Sequence, residues 1–408
     1  MKITIVNHSD SLGGASVVSR RLMHAMRALG HDATMLVAHK STADHNVTEY
    51  TPQWRVRKTF LAEHLRIFLS NGFNRSDLFK ASIATDGLPL AEHPSVKNAD
   101  AVILNWVNQG MLSLDEIKKI ATEKTVLWTM HDMWNLTGIC HHAGTCLGYR
   151  HSCGHCPLLH FMAGKNDLSH KTFLRKKDFY ESLPNLRLVA VSSWLRDKAS
   201  ESGLTAGRHI DVVPNAFPLE DFHIAPRYAI KGIPCDKKII LMGAARLDDP
   251  VKGLSFAVEI LNKLKADNDA VAVFFGAIRD PKILDTIKFP HIHYGMVNDA
   301  DTLRELYAHA SVVISTSLYE TLPGTLIEGQ SAGCTPVAFD SGGQRDIIDH
   351  GRTGYLVPPY DTDIFAEFLS QALEKPFDKD VLRASVSTRF SAQAVAAQYI
   401  KIIEECVR

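Results

Sequence analysis

The sequence has no excess of either charge: 45 lysines and arginines stand against 45 aspartates and glutamates in 408 residues. That balance gives no support for a protein that holds nucleic acid mainly by electrostatics, so no nucleic-acid partner is expected. Apolar runs never approach the roughly 18 residues that a membrane-spanning helix needs. No secretory leader precedes the first strand-like residues, so a cytoplasmic location is expected. Internal repeats and low-complexity tracts are absent as well. Cysteine is scarce, with seven in the chain. In a reducing compartment such residues stay as thiols or bind metal more often than they form disulfides. What is present is ordinary for a globular protein: 45% hydrophobic and 22% charged residues, on a length that suits two domains, with three the upper expectation.

Strand-like apolar runs alternate with helical patterns. One series covers residues 3–6, 101–104, 125–129 and 188–191. A second covers 239–242, 271–275, 312–314, 336–339 and 355–357. Such alternation predicts α/β architecture, with parallel sheets covered by helices on both faces. Two series predict two doubly wound, Rossmann-like domains. The hinge is expected at Val213-Pro214-Asn215-Ala216-Phe217-Pro218, where two prolines favour extended chain. This gives domains at 1–213 and 214–388. The last segment, 389–408, carries Val395, Ala396, Tyr399, Ile402, Ile403 and Cys406 at helical spacing and is expected to pack back on the first domain.

Ligands of open α/β sheets bind beyond the carboxyl ends of the strands, and five stretches are expected there. The first is the E-x7-E pair Glu320 and Glu328, within residues 317–333. Pro323 suits the first turn of a helix, so Glu320 belongs to a strand-to-helix loop and Glu328 to the helix. Two carboxylates there can accept hydrogen bonds from the hydroxyls of a sugar and a ribose. The second stretch, residues 243–253, holds Arg246 and Lys252, two cations suited to a diphosphate; a solvated loop of mixed charge is the alternative. Third, His131 follows the strand at 125–130 and could donate to a sugar hydroxyl or move a proton; a structural histidine held by Asp132 is the alternative. Finally, Gly13-Gly14 after the first strand and Gly342-Gly343 after the run at 336–339 could bring backbone amides to phosphate oxygens. A plain strand-to-helix turn and a turn needing positive φ are their respective alternatives. Residues 13–16 do not form G-x-G-x-x-G, which disfavours a nicotinamide site.

Together the Gly-Gly after the first strand, Arg246, Lys252 and the E-x7-E followed by S-A-G-C-T-P-V resemble family-4 glycosyltransferases of the GT-B fold. The resemblance covers essentially the whole chain. The stretch H-D-M-W-N-L-T-G-I-C and the cysteines after it are similar to a subgroup that makes bacterial exopolysaccharides, including colanic-acid-type enzymes. The resemblance implies two domains facing across a cleft, the second holding a nucleotide-sugar donor and the first a glycan or lipid-linked acceptor. It implies transfer with retained anomeric configuration and no catalytic metal. By position, Arg246 and Lys252 would bind the diphosphate, Glu320 the donor sugar, Glu328 the ribose, and His131 would sit beside the transferred sugar. Gly13, Gly14 and Gly343 would add donor contacts. Thr321-Leu322 stands where many members have an aromatic-glycine pair, and Gly329 where alanine is common, which leaves the donor sugar open. A GT-B sugar-nucleotide epimerase and a non-catalytic, zinc-bearing subunit of a polysaccharide complex are the alternative functions.

Cys140, Cys146, Cys153 and Cys156 form C-x5-C-x6-C-x2-C, with His141, His142, His151 and His155 interleaved. Four thiolates can complete a tetrahedral structural zinc site; free thiols or two disulfides are the alternatives. Cys235, Cys334 and Cys406 are scattered. Residues 54–69 place Arg55, Arg57, Lys58 and Arg66 beside Trp54, Phe60, Leu61, Leu65, Phe68 and Leu69, against the single acid Glu63. This pattern fits a helix lying peripherally on the inner membrane face, or a helix packed on its own domain.

Overall fold

The computed structural model describes residues 1–75, 77–265 and 269–407. Among them the chain divides into two units: Met1–Ala216 with Ala392–Arg408, and Phe217–Ser391. The divisions fall a few residues beyond the expected boundaries after 213 and 388.

The first unit is built on β1 (Lys2–Ser9), β2 (Asp32–His39), β3 (Val47–Glu49), β4 (Ala101–Leu104), β5 (Thr125–Met130), β6 (Arg187–Ala190) and β7 (Ile210–Val212). The sheet order is β3-β2-β1-β4-β5-β6-β7, with each pairing parallel. In the second unit are β8 (Lys238–Arg246), β9 (Ala270–Ala277), β10 (His291–Gly295), β11 (Ala310–Ser315), β12 (Thr335–Phe339) and β13 (Tyr355–Val357). Their order is β10-β9-β8-β11-β12-β13, again parallel throughout. Both are doubly wound sheets whose strand order reverses at one place, between β1 and β4 and between β8 and β11.

The central strands read as unbroken apolar runs because helices cover both faces. All four residues of β4 are fully buried. The helix Gly14–Ala28 turns Val18, Leu22, Ala25 and Met26 inward at helical spacing. The helix Ala392–Val407 joins the same core through Val395, Ala396, Tyr399, Ile402 and Ile403, and the Tyr399 hydroxyl meets Thr129 Oγ1 at 2.9 Å. The expected strand series omitted β2, β3, β7 and β10. Of these β3, β7 and β10 lie at sheet edges, where one side of the backbone has no partner strand and the apolar signal is weaker.

The helix Gln53–Ser70 faces the opposite way from its apolar pattern. It buries Val56, Glu63, His64 and Ile67. The Glu63 carboxylate is turned inward: its Oε1 accepts the amides of Ile83 (2.6 Å) and Ala84 (3.1 Å). Trp54, Leu61, Leu65 and Leu69 remain 50–63% exposed.

Candidate active site

In the second unit the sheet reverses between β8 and β11, and the loops leaving these strands are sewn together. The Leu318 amide donates to Val251 O at 2.8 Å. Thr316 Oγ1 donates to the carbonyls of Lys252 (3.1 Å) and Gly253 (2.9 Å). Gly253 is obligatory at its position: φ is +66°, and a Cβ would lie 2.1 Å from Thr316 O. A pocket opens there, lined by Met242, Gly243, Lys252, Ser315, Ser317 and Glu320 among others.

Lys252 and Glu320 are the charged pair in its wall, with Nζ 2.6 Å from Oε1. Burial works against the ammonium, but the charge and hydrogen bond of Glu320, with Asp249 nearby, outweigh it and hold the lysine pKa above its ordinary value. The cation therefore persists through neutral pH.

Three other expected residues stand differently. Arg246 ends β8 but does not line the pocket. Its Nε lies 3.2 Å from Asp248 Oδ1, close enough for ion pairing yet not aligned for a hydrogen bond. Glu328 is buried inside the helix Gly324–Ser331, where the Tyr307 hydroxyl reaches its Oε2 at 3.4 Å; it too is outside the pocket wall. The Gly343 amide is already committed, donating to Glu320 O at 2.8 Å. Nor is the preceding glycine explained by positive φ, since Gly342 has φ 175°. Close approach is the reason for both glycines: a Cβ on either would sit 2.0 Å from a carbonyl oxygen of the Glu320–Thr321 stretch. This glycine pair holds the loop that carries Glu320.

In the first unit, His131 leaves the carboxyl end of β5. It is held by Asn105 from the end of β4, whose Oδ1 lies 2.9 Å from Nε2. Asp132 beside it accepts Trp106 Nε1 (2.9 Å) and His141 Nδ1 (2.8 Å) at its Oδ2. Burial opposes the Asp132 charge, but His141 and the Trp134 amide keep its pKa down at about 2. Burial pushes His131 down to about 4, only partly offset by Asp132, so the imidazole is neutral at physiological pH. Gly13 (φ 82°) and Gly14 open the first helix, with open space where a Cβ would project. Sequence reasoning missed Asn105 and Trp106; their place just beyond β4, beside the strand-order reversal, was the available signal.

The four clustered cysteines come together. All of them line one small pocket beside Thr137, Ile139 and Tyr149. Burial pushes Cys140 up to about 12 and Cys153 up to about 11. As they stand, no three His, Cys, Asp or Glu side chains among the described residues are gathered as a metal cage.

Residues 236–375 match the glycosyl transferases group 1 family. An exopolysaccharide phosphotransferase of Streptomyces coelicolor is 28% identical over 232 residues, 54% of this chain but 23% of that protein. The chain thus spans less than a quarter of that relative. A protein of Escherichia coli named as a colanic acid biosynthesis glycosyl transferase is 24% identical over 337 residues, 80% of this chain and 77% of the other. The structure of Anabaena HepE in complex with UDP and glucose superposes with a TM-score of 0.63 at 15% identity, covering 99% of this chain and 100% of that one. At that identity the likeness is one of fold. The chain has two Rossmann-like units of the GT-B fold, and within the second, residues 236–375 are similar to the glycosyl transferases group 1 family.

Proposed function

We propose that this protein is a retaining glycosyltransferase that moves a sugar from a nucleoside-diphosphate-sugar to a glycan or lipid-linked acceptor in bacterial surface polysaccharide synthesis. The observation that carries this reading is the Lys252–Glu320 pair in a pocket at the strand-order reversal of the family-matched unit. In the reaction, the bond from the anomeric carbon to the diphosphate oxygen breaks, and its electron pair stays on the diphosphate. A fixed ammonium at that point stabilises the developing charge without reorganising. The acceptor hydroxyl oxygen forms the new bond on the same face, and its proton passes to the released diphosphate. No catalytic metal enters this scheme. Glu320, ion-paired at rest, is placed to accept hydroxyls of the donor sugar. Arg246 adds a second cation once a ligand draws it from Asp248, and Glu328 is assigned to the ribose.

The surface role draws on the colanic acid relative and on the helix Gln53–Ser70. Its exposed Trp54, Leu61, Leu65 and Leu69, with Arg55, Arg57 and Lys58, suit the anionic inner face of a membrane, where a lipid-linked acceptor would lie. No helix among the described residues is long and apolar enough to cross a membrane.

A panel of nucleotide-sugars tests the donor class. Thermal stabilisation by a subset sharing one nucleotide is expected, because ligand bound to the native state raises apparent stability by mass action. Incubation of that subset with the protein should release the nucleoside diphosphate. An epimerised sugar with the nucleotide still attached would favour the epimerase, and no stabilisation by any donor would refute the reading.

A further inference from the structure

We propose that Cys140, Cys146, Cys153 and Cys156 bind one zinc ion as a closed structural site. Four sulfurs spread over residues 140–156 converge on one pocket, and none is tied up in a disulfide. Backbone amides already point at them: Gly138 N–H lies 3.3 Å from Cys153 Sγ and Gly148 N–H 3.5 Å from Cys146 Sγ. Such N–H···S contacts favour sulfur that carries negative charge. The C-x2-C hook is bent by three consecutive residues at positive φ, Cys153 (54°), Gly154 (105°) and His155 (48°), which turns its two sulfurs toward one pocket. Two of the three are not glycine, and such backbone persists where the surroundings hold it.

A second and independent observation is Lys176. It is 1% exposed, and its ammonium donates to the carbonyls of Trp134 (2.6 Å) and Thr137 (3.0 Å) while lying 3.3 Å over the Trp134 ring. Burial drives its pKa well below the ordinary lysine value, opposed in part by Cys140 and Cys153 and then by Asp132. A buried cation beside neutral thiols is costly. Beside a zinc tetrathiolate, which carries a net charge of about −2 from one Zn²⁺ and four S⁻, the same cation is an electrostatic complement. Binding releases four protons to solvent as the four thiols become ligands. The sulfurs must draw inward from their present positions, since they line the pocket without forming a cage. His141 is excluded as a ligand because it is bonded to Asp132 and Ser82. With four sulfurs the ion has no open position, so the site is structural. It fixes the loop whose His141 carbonyl accepts the Met133 amide at 2.8 Å, two residues beyond His131.

The full chain, purified without chelator or affinity metal, should contain about one zinc by elemental analysis. A mercurial thiol reagent should release that zinc in step with four thiols. Cys153→Ser with Cys156→Ser should lose the metal, while Cys235→Ser keeps it. Added zinc should raise the thermal midpoint of chelator-stripped wild-type protein. If the double variant fails to fold, the zinc content and release stoichiometry of wild-type protein still decide. Metal-free wild-type protein that zinc does not stabilise, disulfides among the four cysteines, or iron in place of zinc would each overturn the assignment.

Discussion

Lys252 keeps its charge because Glu320 lies 2.6 Å away, and Glu320 is in turn held beside the pocket by that ammonium. Each residue is preorganised by the other, as the proposed stabilisation of a departing diphosphate requires. His131 differs in being neutral. Its pKa of about 4 leaves an uncharged imidazole that can donate or accept hydrogen bonds across the physiological range. The consequence for stability has a definite sign. The unfolded histidine takes up a proton near pH 6.5 while the folded one does not until about 4. The contribution is therefore complete above pH 6.5 and is lost as pH falls through 4, amounting to at most ~3 kcal/mol. Denaturation midpoints measured between pH 7 and 4 should fall more steeply for wild type than for His131→Asn. Parallel slopes would mean that His131 titrates normally. In His131→Ala, turnover should drop more than nucleotide affinity, since contacts formed mainly in the transition state act on rate. Collapse of nucleotide binding with normal turnover at saturation would reassign His131 to the nucleotide.

At the scale of elements, the loop carrying Glu320 is clasped from both sides. Val251 accepts the Leu318 amide on one side, and Gly343 donates to Glu320 O on the other, each at 2.8 Å. A methyl on Gly343 would press within 2.0 Å of Thr321 O. Gly343→Ala should thus cost about 1–3 kcal/mol of stability, as forced overpacking does, and lower turnover as well. An unchanged denaturation midpoint would contradict this account of the glycine pair. The apolar runs showed most interior strands, though not β2, because strands buried on both faces must be apolar. They could not show that Gly343 serves a neighbouring loop, since that depends on two chain segments meeting in space. The helix Gln53–Ser70 illustrates the same limit: its apolar residues were legible, but the burial of Glu63 on two backbone amides was not. Its exposed stripe should bind vesicles containing anionic lipid, and Leu61→Gln with Leu65→Gln should weaken sedimentation with them while the fold persists. Equal sedimentation of variant and wild type would remove the membrane assignment.

At the scale of the whole molecule, two parallel sheets each reverse strand order once, and the pocket with Lys252 and Glu320 lies at the reversal in the family-matched unit. Much of this site was legible because strand ends can be located from apolar runs and charged residues beyond them stand out. The Lys252–Glu320 contact was not, because 68 residues separate the partners and only the adjacency of β8 and β11 brings them together. Arg246 and Glu328 show the converse: β8 runs on to include Arg246, and local pairing with Asp248 and burial beside Tyr307 keep the two out of the pocket wall. The central claim is that the Lys252 cation stabilises a departing nucleoside diphosphate. It is tested most directly by the rate at which purified wild-type protein and Lys252→Ala release nucleoside diphosphate from the nucleotide-sugar that stabilises the wild type. Release by wild type and a loss of about a hundredfold or more in a folded Lys252→Ala protein is the expected result. Equal rates in the two proteins, or no release by wild type with any donor, would contradict it.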